Sequence, residues 1–136
     1  MTTSLFAVQE AVYGALTSSV AVQALLGNPA RLYDVVPPAA AFPYATLGDV
    51  VIRDYDTKDQ TGFEQSLTLH VWSRYRGRKE LKQVIQTIYD VLHNSALTVT
   101  GANAVSCQFQ SASTVQENDG LTLHGILRYR IIIQHS

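Results

Sequence analysis

The apolar positions of this chain change period along its length. Up to about Thr17, Leu5, Val8, Val12, Ala15 and Leu16 recur every three or four residues, the spacing of one stripe on a helix. Thr3 or Ser4 can cap its start. Thr17, Ser18 and Ser19 interrupt the stripe, and Val20, Ala21, Ala24, Leu25 and Leu26 then predict a short second helix. Ser18 or Ser19 caps it, Gly27 and Asn28 stop it, and Pro29 lies just beyond. The next stretch, RLYDVVPPAAAFPYATLG, excludes helix: Pro37, Pro38 and Pro43 each lack a backbone donor and push the preceding residue toward extended geometry. The apolar runs on either side, 31–36 and 44–52, predict extended segments joined by a stiff bridge at 37–41.

Beyond the bridge the period becomes two. Residues 53–62, RDYDTKDQTG, form a polar run ending in glycine, which predicts a long hairpin loop. In 63–75, Phe63, Leu67, Leu69 and Val71 point one way, while Glu64, Ser66, Thr68, His70, Trp72 and Arg74 point the other, so the odd-numbered face is the core face. After Gly77, the residues Leu81, Val84, Ile85, Ile88, Val91 and Leu92 return to helical spacing through about His93, and Asn94 and Ser95 end that helix. Val105, Cys107 and Phe109 alternate with Ser106, Gln108 and Gln110 as a half-buried strand. Asp119-Gly120 tolerates the positive φ of a tight turn and predicts a hairpin. In the returning strand Leu121, Leu123, Leu127, Tyr129, Ile131 and Ile133 share the core face. Thr122, His124, Arg128, Arg130 and Gln134 line the other, interrupted by Ile126 and Ile132. The expected fold is a single α+β domain over residues 1–136: a mainly antiparallel β-sheet, with N-terminal helices and a second major helix packed on one face.

Length agrees, since 136 residues bury roughly 70% of their extended surface in one core. A net charge of -1 gives no sign of the strongly basic balance that nucleic-acid or membrane-surface proteins show. Charged residues are 15% of the chain against about 25% in average domains. Subunits partly covered by neighbours have such a composition, and so do monomers with many exposed Ser, Thr, Gln and Ala. Cys107 has no partner for an intramolecular disulfide, which points to a reducing compartment. With no basic n-region before an apolar stretch and no run of about 18 apolar residues, a soluble protein made in the cytoplasm is expected.

Candidate chemistry is sparse. His70, His93, His124 and His135 lack the close pairing of zinc ligands, so no metal or other cofactor is expected. Cys107 alternates with core positions as a small buried hydrophobe. No nucleophile elbow, phosphate-binding glycine loop or paired-carboxylate motif occurs, and the acidic loop lacks the glycine and glutamate positions of a calcium loop. Two charged clusters stand out as candidate contact surfaces. One is Arg53, Asp54, Asp56, Lys58 and Asp59. The other is Arg74, Arg76, Arg78 and Lys79, beside Trp72 and Tyr75, where cations at a helix N-terminus oppose the helix dipole and do not serve the helix. Solvated charge, a carboxylate of a neighbouring subunit and passing phosphate contacts all account for the second cluster.

A helical N-terminus, then GNPARLYDVVPP, FPYATLGD, and an alternating strand ending in VWSR before a helix resemble the tail completion or tail terminator family of long-tailed phages and phage-derived gene transfer agents. The likeness covers most of the chain and is strongest over 31–49 and 70–92. The resemblance implies a small α+β subunit without enzymatic activity that forms a hexameric ring, caps the tail tube, terminates tail assembly and presents the surface that joins the head. The implied partners are further copies of itself, the major tail tube protein and a head-completion or connector protein. DNA passes through without specific binding, and no membrane is involved. The implied location is the head-tail junction of a virion or gene transfer agent particle, after synthesis in the bacterial cytoplasm. The alternatives are a head-completion or connector subunit of the same kind of particle, or a small-ligand-binding α+β domain. The latter requires convergent polar groups that the sequence does not display.

Overall fold

The structure is a computed structural model that describes residues 5–59, 61–93, 97–102 and 104–135. In chain order the elements are α1 (Leu5–Thr17), α2 (Val20–Leu26), β1 (Leu32–Tyr33), β2 (Tyr44–Asp54), β3 (Thr61–Ser73), α3 (Lys79–Leu92), β4 (Ala104–Gln116) and β5 (Leu123–His135). The strands form one sheet in the order β1-β2-β3-β5-β4. All neighbours are antiparallel except β1, which runs parallel to β2. The α+β expectation holds.

The helices cover one face of the sheet, as strict alternation dictates. On β3, Leu67, Leu69 and Val71 are buried, with Leu69 and Val71 at 0% exposure. Their partners across the sheet, Tyr129, Leu127 and Gly125 on β5, lie on the same face. Ile131 and Ile133 of β5 and Cys107 of β4 continue it. Onto this layer α1 sets Ala7, Val8, Val12 and Leu16, α2 sets Val22 and Leu26, and α3 sets Leu81, Val84, Ile88 and Leu92. Each Val, Leu or Ile side chain of this set, withdrawn from water, contributes roughly 1.5–3 kcal/mol. Gly125 sits beneath α3, where an added Cβ would come within 2.9 Å of Ile85 Cδ1. A side chain at that position would require the Ile85 and Leu81 side-chain ends to shift.

Local signals place the element ends. Ser19 is the N-cap of α2, its hydroxyl accepting from the Val22 amide, and Gly27 closes that helix at φ 90°. Gly120 turns the β4–β5 hairpin at φ 69°. The peptide bonds before Pro29 and Pro43 are cis.

The structure revises several expectations. Leu5 is 49% exposed although it falls on the helical stripe, because the first turn of α1 stands over an open groove rather than a covered part of the sheet. Val20, at the first position of the short α2, is 79% exposed. The extended run 31–36 shrinks to two paired residues, leaving Val35 83% exposed. β2 continues past Ile52 to Asp54, its register shifting between Leu47 and Val50, so the loop is shorter than the polar run, its described residues being 55–59. Leu121 is 56% exposed, since β5 begins only at Leu123. β4 extends to Gln116 through a register shift between Phe109 and Ser111. The α1 cap at Thr3 or Ser4, the α3 stop at Asn94 and Ser95, and the Val105 side chain lie outside the described residues.

Candidate interaction surfaces

The two charged clusters lie at opposite ends of β3. The 55–59 loop precedes its first residue and the basic cluster follows its last. Thirteen residues of strand at about 3.3 Å each put them about 40 Å apart, too far for any contact within one chain.

In the acidic cluster, part of the charge is used locally. Asp56 Oδ1 accepts from the Gly62 amide at 2.9 Å, and Asp54 Oδ2 from the Asp56 amide at 3.4 Å, which closes the loop on itself. Arg53 faces Glu64 across the β2–β3 pair on the helix-free side. Lys58 and Asp59 are exposed at the tip, so the loop presents mixed charge, with two side chains free to pair outward.

The basic cluster divides in the same way. Arg74 is held by its own fold: Nε donates to Thr122 Oγ1 at 3.1 Å, a guanidinium nitrogen lies 4.0 Å from Asp119 Oδ2, and the guanidinium carbon sits 4.4 Å from the Phe42 ring centre. It ties the end of β3 to the β4–β5 turn and to the proline-rich bridge. Asp119 itself accepts from the Thr122 amide and hydroxyl and from the Leu121 amide, which hold its pKa down at about 2. Arg76, Arg78 and Lys79 are exposed and make no side-chain hydrogen bond or ion pair among the described residues. Arg78 is the N-cap of α3 without a side-chain bond; the first-turn acid is Glu80, which accepts from the buried Ser73 hydroxyl at 2.8 Å. Two of the free cations, Arg76 and Arg78, border a depression of about 210 Å³ with Gln116 and Leu121.

Between the two ends the helix-free face carries a column of rings that sequence inspection did not assemble. Tyr33, Tyr44, Trp72, His124 and His70 follow one another across four strands, with Trp72 stacked on His124 at 3.8 Å. Period-two alternation put Trp72, His70 and His124 on polar faces, but only the pairing of β3 with β5 brings them together. His124 Nδ1 contacts Glu117 Oε1 at 2.9 Å, and His70 Nδ1 contacts His124 Nε2 at 2.6 Å. One tautomer set satisfies both: Nδ1–H of His124 donates to Glu117 and Nδ1–H of His70 donates to His124. Burial, then the neighbouring His124, pushes the His70 pKa below its usual value. This set holds no nucleophile. Farther along the face Arg130 pairs with Glu64.

Burial lifts the Cys107 thiol to about 12, which leaves it no nucleophilic character near neutrality. No group of three or more metal-ligating side chains occurs among the described residues. No single described helix is long and apolar enough to cross a membrane.

A family described as tail completion protein gp17 matches residues 10–134. The tail completion protein gp17 of Bacillus phage SPP1 is 26% identical over 95 residues, which cover 70% of either chain. A chain in the virion structure of a native gene transfer agent particle superposes with a TM-score of 0.83 at 24% identity, covering 93% of each chain. At that identity the superposition establishes the fold.

Proposed function

The chain belongs to the tail completion protein gp17 family, a family of structural phage tail proteins, and on that footing we propose that it forms a ring, hexameric in its finished form, at the head end of the tail. The ring caps the tail tube, stops its growth and offers the surface to which the head is joined. Its partners are other copies of itself, the major tail tube protein and a head-completion or connector protein. It is built into a virion or gene transfer agent particle after synthesis in the bacterial cytoplasm, and its role is assembly rather than catalysis. The observation that carries this reading is the family match over nearly the whole chain.

Charge placement supports a head-to-tail arrangement. A contact between unlike surfaces repeated by rotation closes a ring, whereas a contact between like surfaces stops at a dimer. The mixed 55–59 loop and the free cations Arg76, Arg78 and Lys79 are unlike surfaces at opposite ends of one subunit. Each exposed pair that such a surface makes with a partner contributes at most about 1 kcal/mol and chiefly fixes orientation. The basic cluster does not line the channel: a hexamer's worth of such clusters would hold passing DNA through many phosphate contacts at once.

The test is complementation of particles that lack this protein. The unmodified chain is expected to restore capped tails joined to heads, and Arg76→Glu with Arg78→Glu to fail, while neither protein binds DNA measurably. Tight, salt-sensitive DNA binding by the unmodified chain that the reversal abolishes would overturn the placement of the cluster. Failure of the unmodified chain to cap tails would overturn the role itself.

A further inference from the structure

β2 is paired with β1 only at Ala45 and Thr46, so along 49–54 its outer edge carries no strand among the described residues. An open groove of about 250 Å³ lies under that edge, between α1 and β2. Its walls are mainly apolar, with Gln9 and Asp34 among them; Leu5, Phe6, Val50 and Ile52 are 39–63% exposed. Gln65 also lines it, 3% exposed, and its amide oxygen is buried with no hydrogen-bond partner. A buried acceptor left unpaired costs about 1–3 kcal/mol. An unpaired strand edge beside an apolar groove that lacks one donor is the geometry of strand addition.

The strand that fits is on the page. β4, at the far end of the sheet, also has no strand on its outer side among the described residues. Its thirteen residues, AVSCQFQSASTVQ, include no charge, proline or glycine, so that of the devices by which free edges are kept from pairing it has only the register shift between Phe109 and Ser111. Direction fits as well. β2, β3, β5 and β4 alternate in polarity across the sheet, so β4 runs antiparallel to β2. A second copy rotated into place beside the first, with its strand direction kept, lays its β4 antiparallel along this β2. The sheet then continues with all helices on one side. We infer that β4 of one copy adds to residues 49–54 of the next, covering the groove and bringing a donor to Gln65. The inference rests on the ring reading above and supplies its main contact.

Inward-pointing lysines test it. Ile52→Lys blocks the β2 edge and Ala112→Lys, at an exposed position on the same face of β4, blocks the other. By native mass spectrometry the unmodified protein is expected to be oligomeric, with slowed amide exchange along 49–54 and 106–116. Each variant alone is expected to be monomeric with an unchanged circular dichroism spectrum. A mixture of the two gives a one-to-one heterodimer and nothing larger, because each retains the edge that the other has lost. A variant that loses its spectrum is replaced by Val51→Lys or Ser113→Lys, exposed on the opposite face of the same edges, with the same expectations. An oligomer that survives both blocks overturns the edge contact and leaves the ring reading standing. An oligomer that Ala112→Lys dissociates but Ile52→Lys leaves intact means that β4 pairs with β4, which also overturns it. A protein that is monomeric at every concentration overturns the contact, while the complementation assay decides the capping role separately.

Discussion

Leu69 offers the sharpest check on the packing. It is 0% exposed at the centre of β3, with Leu47 of β2 on one side and Leu127 of β5 on the other. Leu69→Ala removes most of a buried side chain and leaves a cavity that paired strands cannot collapse to fill. The cost is expected near the middle of the roughly 2–5 kcal/mol range for such truncations, about 3 kcal/mol. A chain of 136 residues unfolds with an entropy of about 0.3 kcal/mol/K near its midpoint, so the midpoint falls by about 10 K. Thr68→Ala, one position earlier on the helix-free face, is expected to stay within about 0.5 kcal/mol. Urea unfolding followed by circular dichroism measures both, at low protein concentration because self-association would add stability of its own. A slip of one residue in the register exchanges the two faces. If Leu69→Ala costs under about 1 kcal/mol, or Thr68→Ala costs as much as Leu69→Ala, the assignment of faces is wrong.

Two further predictions concern pH. Asp119 has its pKa held down at about 2 by the Thr122 and Leu121 donors, below the ordinary 3.8. The stability it supplies is therefore present above about pH 4 and is lost as pH falls toward 2. Asp119→Asn should flatten the acid limb of the thermal midpoint against pH over that window, and an unchanged limb would sever the link. His70, whose pKa lies below the ordinary 6.5 because of burial first and His124 second, resists protonation in the folded state. Folded-state stability from this site is intact above about pH 6.5 and declines as pH falls toward the depressed value. His70→Gln should remove that decline, and an NMR titration of its ring showing a midpoint at or above 6.5 would refute the burial argument.

The sequence by itself determined which way each side chain faces. In β3 and β5 alternation at period two leaves a residue only two faces, so Leu67, Leu69, Val71, Leu127, Tyr129, Ile131 and Ile133 could be assigned to the core without knowing any strand's neighbour. The α3 stripe, the Ser19 cap, the Gly27 stop and the Asp119-Gly120 turn were legible for the same reason: each depends on residues within a few positions. Tertiary structure alone decided what depends on distant pairing. The order β3-β5-β4 joins His70 to His124 across 54 positions and stacks Trp72 on His124. The two-residue β1 leaves 49–54 of β2 open, and the run of α1 over that edge, not its period, exposes Leu5. Arg74 looked equivalent to Arg76, Arg78 and Lys79 in sequence, yet the hairpin returning from Thr122 and Asp119 claims it and leaves the other three to solvent or a neighbour. Local patterns encode the face a residue presents, because backbone geometry repeats every few residues; the identity of the surface it meets is set by chain closure over tens of residues, which no short-range pattern records.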